Sequence, residues 1–198
     1  IQRDLNISLF NEILMICDTL KLDYSEVIRL AKTKWNFINF QPGLVGGHCL
    51  PVDPYYLSYI AKENKFNSIV TLAGRKTNNK MEKFVFKKFL DFIKSNNKKI
   101  KSLKILVIGL TYKYGVSDMR NSLNLKIYNK IKTIVKEAYA YDPFSAEQIS
   151  ITNKDLSNFT KFDVVLFLTN GLIFKKIHKK IKSKKPQIIL DPFNYYNN

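Results

Sequence analysis

The sequence predicts an α/β protein of 198 residues, in which an all-helical first half precedes a small doubly wound domain with a parallel sheet. In the first half, apolar residues recur at helical steps of three and four residues, and no strand pattern interrupts them. In the second half, continuous apolar runs alternate with helical patterns. A polar segment without periodicity separates the two, so we assign a helical domain to residues 1–95, a linker to 96–103 and the sheet domain to 104–198.

Five helices are predicted in the first half. An apolar stripe from Leu5 to Leu20 indicates the first helix and places Cys17 in the core. Asp23 and Glu26 form a capping box that opens the second helix. The other three follow a glycine-rich loop and are expected from Pro54 to about Asn64, from Ser68 to about Asn79, and from Met81 to about Ile93.

The second half begins with a β-branched run at residues 104–109, which is typical of a buried parallel strand. Three more strands are expected near residues 138–141, 162–169 and 187–191, with helices over 122–135 and 172–181. Strands that alternate with helices in this way predict a doubly wound arrangement, with ligands bound beyond the carboxyl ends of the strands.

The loop between the second and third helices concentrates the chemistry of the first half. Residues 40–57 hold three of the 7 glycines and three of the 6 prolines. Gly46-Gly47 allows a positive φ or a close backbone approach, and Cys49 follows directly. Asp53 before Pro54 suggests a helix N-cap, so the loop would deliver a thiol to a helix start, where thiolate is favoured. The alternative is that Cys49 is a small buried hydrophobic residue beside ordinary turns.

A second candidate loop, residues 110–120, follows the first strand. It lacks the G-x-G-x-x-G spacing of a dinucleotide cradle, because Gly109 and Gly115 are too far apart. Lys113 and Arg120 could instead bind phosphates, the first as a point charge and the second as a bidentate fork. That they are solvated loop cations is an equally good interpretation of the spacing.

Composition narrows the classes of function. The chain has 33 basic and 16 acidic residues, a net charge of +17, but the lysines are spread along it and lack a nucleic-acid recognition pattern. Two cysteines and two histidines show no metal-ligand spacing, and no apolar run is long enough to span a membrane. We therefore expect no metal, no nucleic acid and no membrane partner. Two cysteines also favour a reducing compartment, so we expect a cytoplasmic protein.

Several motifs resemble one enzyme family. The run Pro42-Gly-Leu-Val-Gly-Gly-His-Cys-Leu-Pro-Val-Asp-Pro-Tyr-Tyr56 is similar to the active-site signature of the UDP-glucose/GDP-mannose dehydrogenase family, in the branch that oxidises UDP-N-acetylhexosamines. Residues 109–113 (GLTYK) and 117–122 (SDMRNS) resemble the start of its UDP-binding domain, and 2–6 (QRDLN) with 11–12 (NE) resemble its central helix. Val52, where many UDP-glucose enzymes have lysine, favours the N-acetylhexosamine branch.

The resemblance implies the C-terminal part of an NAD-dependent UDP-sugar 6-dehydrogenase of surface polysaccharide synthesis, with a Rossmann-like UDP-binding domain and a homodimer formed through the central helices. Cys49 would form a thiohemiacetal and then a thioester at C6, with Asp53 as base or orienter of the attacking water. Arg120 would contact the cofactor. The residues implied to bind substrate are Ile38, Asn39, Phe40, Gln41, Pro42, Gly46 and Lys113.

Other interpretations stay open. The family's NAD-binding domain, catalytic lysine and asparagine are expected upstream of residue 1, so the chain alone would be inactive and its parent active. The chain could instead act only as a UDP-sugar-binding and dimerisation module, or the parent could use UDP-glucose or GDP-mannose. A cysteine hydrolase that pairs Cys49 with His48 or His178 is less favoured, because His48 is adjacent in sequence and His178 lies in a lysine-rich helix.

Overall fold

The computed structural model describes residues 1–145, 159–183 and 188–196. Four helices fill the first half: α1 (Gln2–Leu20), α2 (Tyr24–Ala31), α3 (Asp53–Glu63) and α4 (Ile69–Ser95). The second half contains β1 (Lys104–Ile108), α5 (Leu123–Lys132), β2 (Glu137–Tyr141), β3 (Val164–Phe167), α6 (Leu172–Ser183) and β4 (Ile188–Leu190). The predicted helical half followed by a parallel α/β unit is confirmed. Gln187, the predicted first residue of the last strand, lies outside the described residues.

The four strands form one parallel sheet in the order β2-β1-β3-β4. Alternate residues of the central strand β1 face opposite sides. Ile105 and Val107 belong to a core shared with α5, whereas Leu106 and Ile108 pack in a second core with α6. Helices therefore cover both faces of the sheet, which is the doubly wound arrangement, and the near-continuous apolar strands are explained by burial on two sides.

The helical half packs directly on the α5 face of the sheet. Phe10 of α1 and the fully buried Val85 and Phe89 of α4 belong to the same continuous core as Ile105 of β1. Leu103, which lies in the predicted linker, is also buried in this core. Because one core includes residues before and after the predicted linker, the loop of residues 40–57 that carries Cys49, called the cysteine loop below, is held close to the carboxyl end of β1. Within the part of the chain described here, no helix is long and apolar enough to cross a membrane.

The prediction of two helices between Ser68 and Ile93 is wrong, because α4 is one continuous helix of 27 residues. Asparagine often bonds its own backbone and so disfavours helix interiors, and the predicted fourth helix ends at about Asn79. Here the Asn78 and Asn79 side chains bond neighbouring side chains instead: Asn78 Nδ2 donates to Asp4 Oδ1 of α1 over 2.7 Å, and Asn79 Oδ1 accepts from Arg75 over 2.7 Å. The backbone ladder of α4 is therefore left intact.

The predicted helix caps have mixed outcomes. Asp23 does cap α2, accepting from the Ser25 N–H over 2.8 Å, but Glu26 pairs with Arg29 instead of completing the capping box. The prediction that Asp53 caps the third helix is wrong. Asp53 is the first residue of α3, preceded by Val52, and no side-chain cap bond is formed.

Candidate functional site

The cysteine loop is attached to the helical half by one asparagine. Asn11 of α1 is fully buried; its Nδ2 donates to the Gly43 carbonyl over 3.0 Å, and its Oδ1 accepts from the Gly43 N–H over 2.8 Å. Both backbone polar groups of Gly43 are thus satisfied by a single side chain. The pair acts like two rungs of a β-ladder and fixes the loop close to α1.

The sheet domain holds the same loop from the other side. The Gly47 N–H donates to the Arg120 carbonyl over 3.2 Å, and Asn121 Nδ2 donates back to the Gly47 carbonyl over 3.1 Å. Nearer the start of the loop, the Tyr195 hydroxyl donates to the Pro42 carbonyl over 2.8 Å. These bonds cross between the two halves of the chain, so the loop lies at their junction.

The two adjacent glycines are required by close packing. A Cβ at Gly46 would lie 2.8 Å from both the Asn121 carbonyl oxygen and Tyr112 Cβ. Gly47 has a φ of 86°, and a Cβ there would lie 2.9 Å from the Tyr112 ring. The expected positive φ and close backbone approach are therefore both present, and Tyr112 is the side chain that lies against them.

Cys49 is exposed and free, so the structure does not support a buried hydrophobic role for it. Its carbonyl accepts from the backbone N–H groups of Val52 (3.1 Å) and Asp53 (2.9 Å). Those two bonds make the turn that leads into α3, and the second places Asp53 inside the first helical turn instead of before it. Cys49 therefore lies one turn before the helix, and Asp53 is exposed at its first residue. Cys17, in contrast, is buried in the core as predicted.

The loop after β1 is held by a buried carboxylate that sequence reasoning missed. Asp142, at the end of β2, is fully buried. Its Oδ2 accepts from the Leu110 N–H (2.8 Å), the Thr111 N–H (2.9 Å) and the Thr111 hydroxyl (2.8 Å). Asn124 of α5 adds bonds from its Nδ2 to the carbonyls of Gly109 and Thr111. These bonds fix the backbone from Gly109 to Thr111, and Lys113, two residues later, is exposed.

Arg120 is paired within its own loop. Its guanidinium donates to both carboxylate oxygens of Asp118, at distances from 2.7 to 3.1 Å. The pKa of Asp118 is lowered to about 2, chiefly by these side-chain bonds. The backbone N–H of Arg120, the charge of Arg120 and the charge of His48 lower it further. The pKa of Arg120 is raised, chiefly by Asp118 and to a smaller extent by Tyr112 and Cys49. The cation is therefore within electrostatic range of the thiol, with a side chain 69% exposed.

Two clefts lie on either side of residues 41 and 42. One, of about 310 Å³, is lined by Arg3 of α1, Gly46, Tyr112, Lys113 and Asn170, among others. The second, of about 390 Å³, is lined by Tyr24, Arg29, Lys32, Asn39, Phe40 and Phe193, among others. Both include Gln41, Pro42 and Tyr195.

The clefts divide the residues that the sequence placed in one substrate site. Gly46 and Lys113 face the first cleft, Asn39 and Phe40 the second, and Ile38 lines neither of the two. Arg3 was missed, although it lies in the quoted motif of residues 2–6. Among the described residues, no group of three or more His, Cys, Asp or Glu side chains could hold a metal ion.

Comparison with protein families gives two matches that together cover most of the chain. The model described as "UDP-glucose/GDP-mannose dehydrogenase family, central domain" matches residues 1–80. The model for the UDP binding domain of the same family matches residues 106–198.

Curated relatives agree with these matches. The UDP-N-acetyl-D-mannosamine dehydrogenase of Pyrococcus horikoshii is 34% identical over 97% of this chain and 45% of the relative. The UDP-N-acetyl-D-glucosamine 6-dehydrogenase of Pseudomonas aeruginosa is 37% identical over 74% of this chain and 35% of the relative. Protein CapL of Staphylococcus aureus is 42% identical over 66% of this chain and 31% of the relative.

Solved structures show the same fold. The UDP-D-ManNAc dehydrogenase of Pyrococcus horikoshii superimposes with a TM-score of 0.79 at 31% identity, over 98% of this chain and 46% of that one. The UDP-N-acetyl-mannosamine dehydrogenase Cap5O of S. aureus gives a TM-score of 0.76 at 32% identity, over 100% of this chain and 46% of that one. The chain spans less than half the length of each of these relatives.

Proposed function

This chain belongs to the UDP-glucose/GDP-mannose dehydrogenase family, and from that premise we propose that it carries the central and UDP-binding parts of an NAD-dependent UDP-N-acetylhexosamine 6-dehydrogenase. The observation that carries the proposal is the exposed Cys49 on a loop fixed between α1 and the loop after β1. Such an enzyme converts C6 of the sugar from alcohol to aldehyde to carboxylate. We place this reaction in the cytoplasm, in the supply of uronic acids for surface polysaccharides.

Cys49 supplies the covalent step. Its sulfur adds to the aldehyde carbon, a C–S bond forms, and the carbonyl oxygen takes a proton to give a thiohemiacetal. After oxidation at that carbon the product is a thioester. Water then adds, the C–S bond breaks, and the thiol and the carboxylate are released. A thiolate suits this sequence because it is both a good nucleophile and a good leaving group.

Asp53, Arg3 and Lys113 have positions that fit supporting roles. Asp53 is exposed one turn after Cys49 and is proposed to accept a proton from the attacking water or to orient it. Arg3 and Lys113 line the same cleft from opposite halves of the chain, so we propose that they bind the pyrophosphate of the UDP-sugar. Backbone groups from Ile38 to Pro42 and Gly46 are proposed to bind the rest of the nucleotide sugar.

The loop after β1 does not fit a dinucleotide. In a dinucleotide cradle the first N–H groups after the strand face the pyrophosphate. Here the N–H groups of Leu110 and Thr111 are taken by the Asp142 carboxylate. Bound NAD would supply the two-electron acceptor for each oxidation, and Arg120 is the residue of this chain proposed to contact it. The loop's misfit to a dinucleotide also allows a narrower alternative, a UDP-sugar-binding and dimerisation module without catalysis.

Isothermal titration calorimetry of the chain with UDP and with NAD tests the proposal. We expect UDP to bind and NAD to bind too weakly to detect. Lys113→Ala should weaken UDP binding roughly tenfold, because it removes a phosphate contact. Lys126→Ala on α5, also exposed, is the matched control and should bind UDP normally. Absence of UDP binding to the unmodified chain would refute the proposed function.

The apolar surface of α3 and the start of α4 supports a homodimer. Large apolar side chains there are more than half exposed: Tyr56, Leu57, Tyr59, Ile60, Phe66, Ile69 and Val70. Contiguous exposed apolar surface of this kind typically marks an interface. We propose that a second copy of the chain covers it. Analytical ultracentrifugation should show a dimer, and Ile69→Asp should shift it to monomer. A monomeric wild type would contradict this proposal.

A further inference from the structure

A chain of buried polar side chains runs through the helical half and ends at the cysteine loop. Arg75 Nη1 donates to Asp4 Oδ1 over 2.6 Å, and Asn78 Nδ2 donates to the same oxygen over 2.7 Å. Asn11 Nδ2 then donates to Asn78 Oδ1 over 2.8 Å. All four residues are at most 1% exposed. An ion pair and two amides between α1 and α4 therefore form one connected network.

The network has a fixed direction. The Gly43 N–H donates to Asn11, Asn11 donates to Asn78, and Asn78 donates to the Asp4 carboxylate. Each bond in such a series polarises the next, and a carboxylate at its end favours a single orientation of every amide. Asn11 therefore cannot rotate its amide without placing two donors or two acceptors face to face at buried sites.

Asn11 is the member of this network that bonds the cysteine loop. Its two bonds to Gly43 hold the backbone three residues before Gly46 and six before Cys49. At the far side of that span, the Gly47 N–H is held by the Arg120 carbonyl of the sheet domain. The span between these two attachments contains Leu44, Val45 and Gly46, so its length and direction are set by Gly43 and Gly47.

We propose that Asn11 is a positioning residue, which acts through the Gly43 backbone to set the register of the loop that carries Cys49. The buried Asp4–Arg75 pair and Asn78 orient the Asn11 amide for this role. Its meaning for catalysis rests on the proposed dehydrogenase function, but the geometric claim concerns the loop alone and is tested without turnover.

Native-state hydrogen exchange, read by NMR at single amides, tests the proposal. Asn11→Asp keeps the size of the side chain. It replaces the donor Nδ2 by a carboxylate oxygen, which then lies opposite two acceptors, Asn78 Oδ1 and the Gly43 carbonyl. It should speed exchange of the Gly47 amide roughly tenfold or more, although Asn11 does not touch Gly47. Exchange of Val85, fully buried in α4, should change much less and reports global opening. Ser8→Ala is the matched control, because Ser8 is buried on α1 and its hydroxyl donates to the Leu5 carbonyl of its own helix.

Three results would overturn the proposal. The first is an exchange rate of the Gly47 amide that is unchanged in the variant. The second is an equal acceleration of exchange at Gly47 and Val85, since Asn11 would then support only the helical core. If Asn11→Asp does not fold, Asn11→Ala is measured in its place. Failure of both variants to fold is the third result that would overturn the proposal. UDP titration of the folded variant should also show weaker binding than the wild type. If the wild type binds no UDP, the proposed function fails while the exchange result still decides the positioning role.

Discussion

The backbone N–H of Gly47 donates to the backbone carbonyl of Arg120, with 3.2 Å between nitrogen and oxygen. This bond joins the loop that carries Cys49 to the loop that carries Lys113 and Arg120. The bonded residues are more than 70 positions apart in sequence, as are Asn121 and Gly47, which form the return bond. These bonds therefore connect the loop of the proposed nucleophile to the loop of Lys113, which is proposed to bind the pyrophosphate.

Gly47→Ala should be strongly destabilising, because two costs add at that position. An alanine at a φ of 86° costs about 1–2 kcal/mol, and overlap with the Tyr112 ring adds about 1–3 kcal/mol. Gly115→Ala separates the two costs, since Gly115 has a φ of 81° but nothing within 4 Å of its Cβ position. Urea unfolding should show the larger loss for Gly47→Ala. Equal losses would mean that Tyr112 moves aside freely.

Cys49 should be the only cysteine modified in the native protein. Burial, and secondarily the charge of Asp23, raises the pKa of Cys17, and its side chain is 3% exposed. Iodoacetamide at neutral pH should therefore add one carbamidomethyl group, at Cys49, and a second group only in urea. Peptide mass spectrometry locates the label, and Cys49→Ser is the control that should remain unmodified when folded. Native labelling of Cys17 would contradict the buried core of α1.

Sequence reasoning reached the fold class and the cysteine loop because both depend on local patterns. The apolar run of β1 and the Gly46-Gly47 pair are visible within a few residues, and the resemblance to the dehydrogenase family is confirmed by the family matches. Asn11, Asn124 and Asp142 could not be assigned in the same way. Their roles depend on partners between 13 and 67 residues away, and nothing local distinguishes them from helix-surface or turn residues.

The errors have the same origin. A helix end is predicted at about Asn79 because Asp4, the α1 partner that Asn78 bonds, is identified only once α1 and α4 pack. The N-cap prediction for Asp53 failed because its N–H already donates to the Cys49 carbonyl four residues earlier, which places Asp53 within the helix and not at the cap. In both cases a tertiary or turn contact replaced the local bond that propensity favours.

Asp142→Asn should loosen the loop after β1 and weaken UDP binding. An amide cannot accept at both positions, so some of the N–H groups of Leu110, Thr111 and Phe144 lose their acceptor in a buried site. A loss of about 2–4 kcal/mol in unfolding free energy is expected. Asp163→Asn is the control: its carboxylate also accepts from a backbone N–H of β1, that of Lys104, but at the exposed opposite end of the strand. It should cost about 1 kcal/mol or less and leave UDP affinity unchanged.

Asp191 should make stability depend on pH in the direction opposite to most carboxylates. Burial raises its pKa from 3.8 to about 6, although backbone N–H groups of Tyr196 and Phe193 donate to it. Since the folded pKa lies above the unfolded one, its stabilising contribution is complete below about pH 4 and is lost as pH rises through about 6. The difference of about two pK units corresponds to about 3 kcal/mol.

Comparison with Asp191→Asn isolates this contribution, because the other carboxylates cancel between the two proteins. The unfolding free energy of the wild type, relative to Asp191→Asn, should fall by up to about 3 kcal/mol between pH 4 and pH 7. A difference that is flat across this range would show that Asp191 is not desolvated. The result bears on the site as well, because Asp191 organises the turn from which the Tyr195 hydroxyl reaches the Pro42 carbonyl of the cysteine loop.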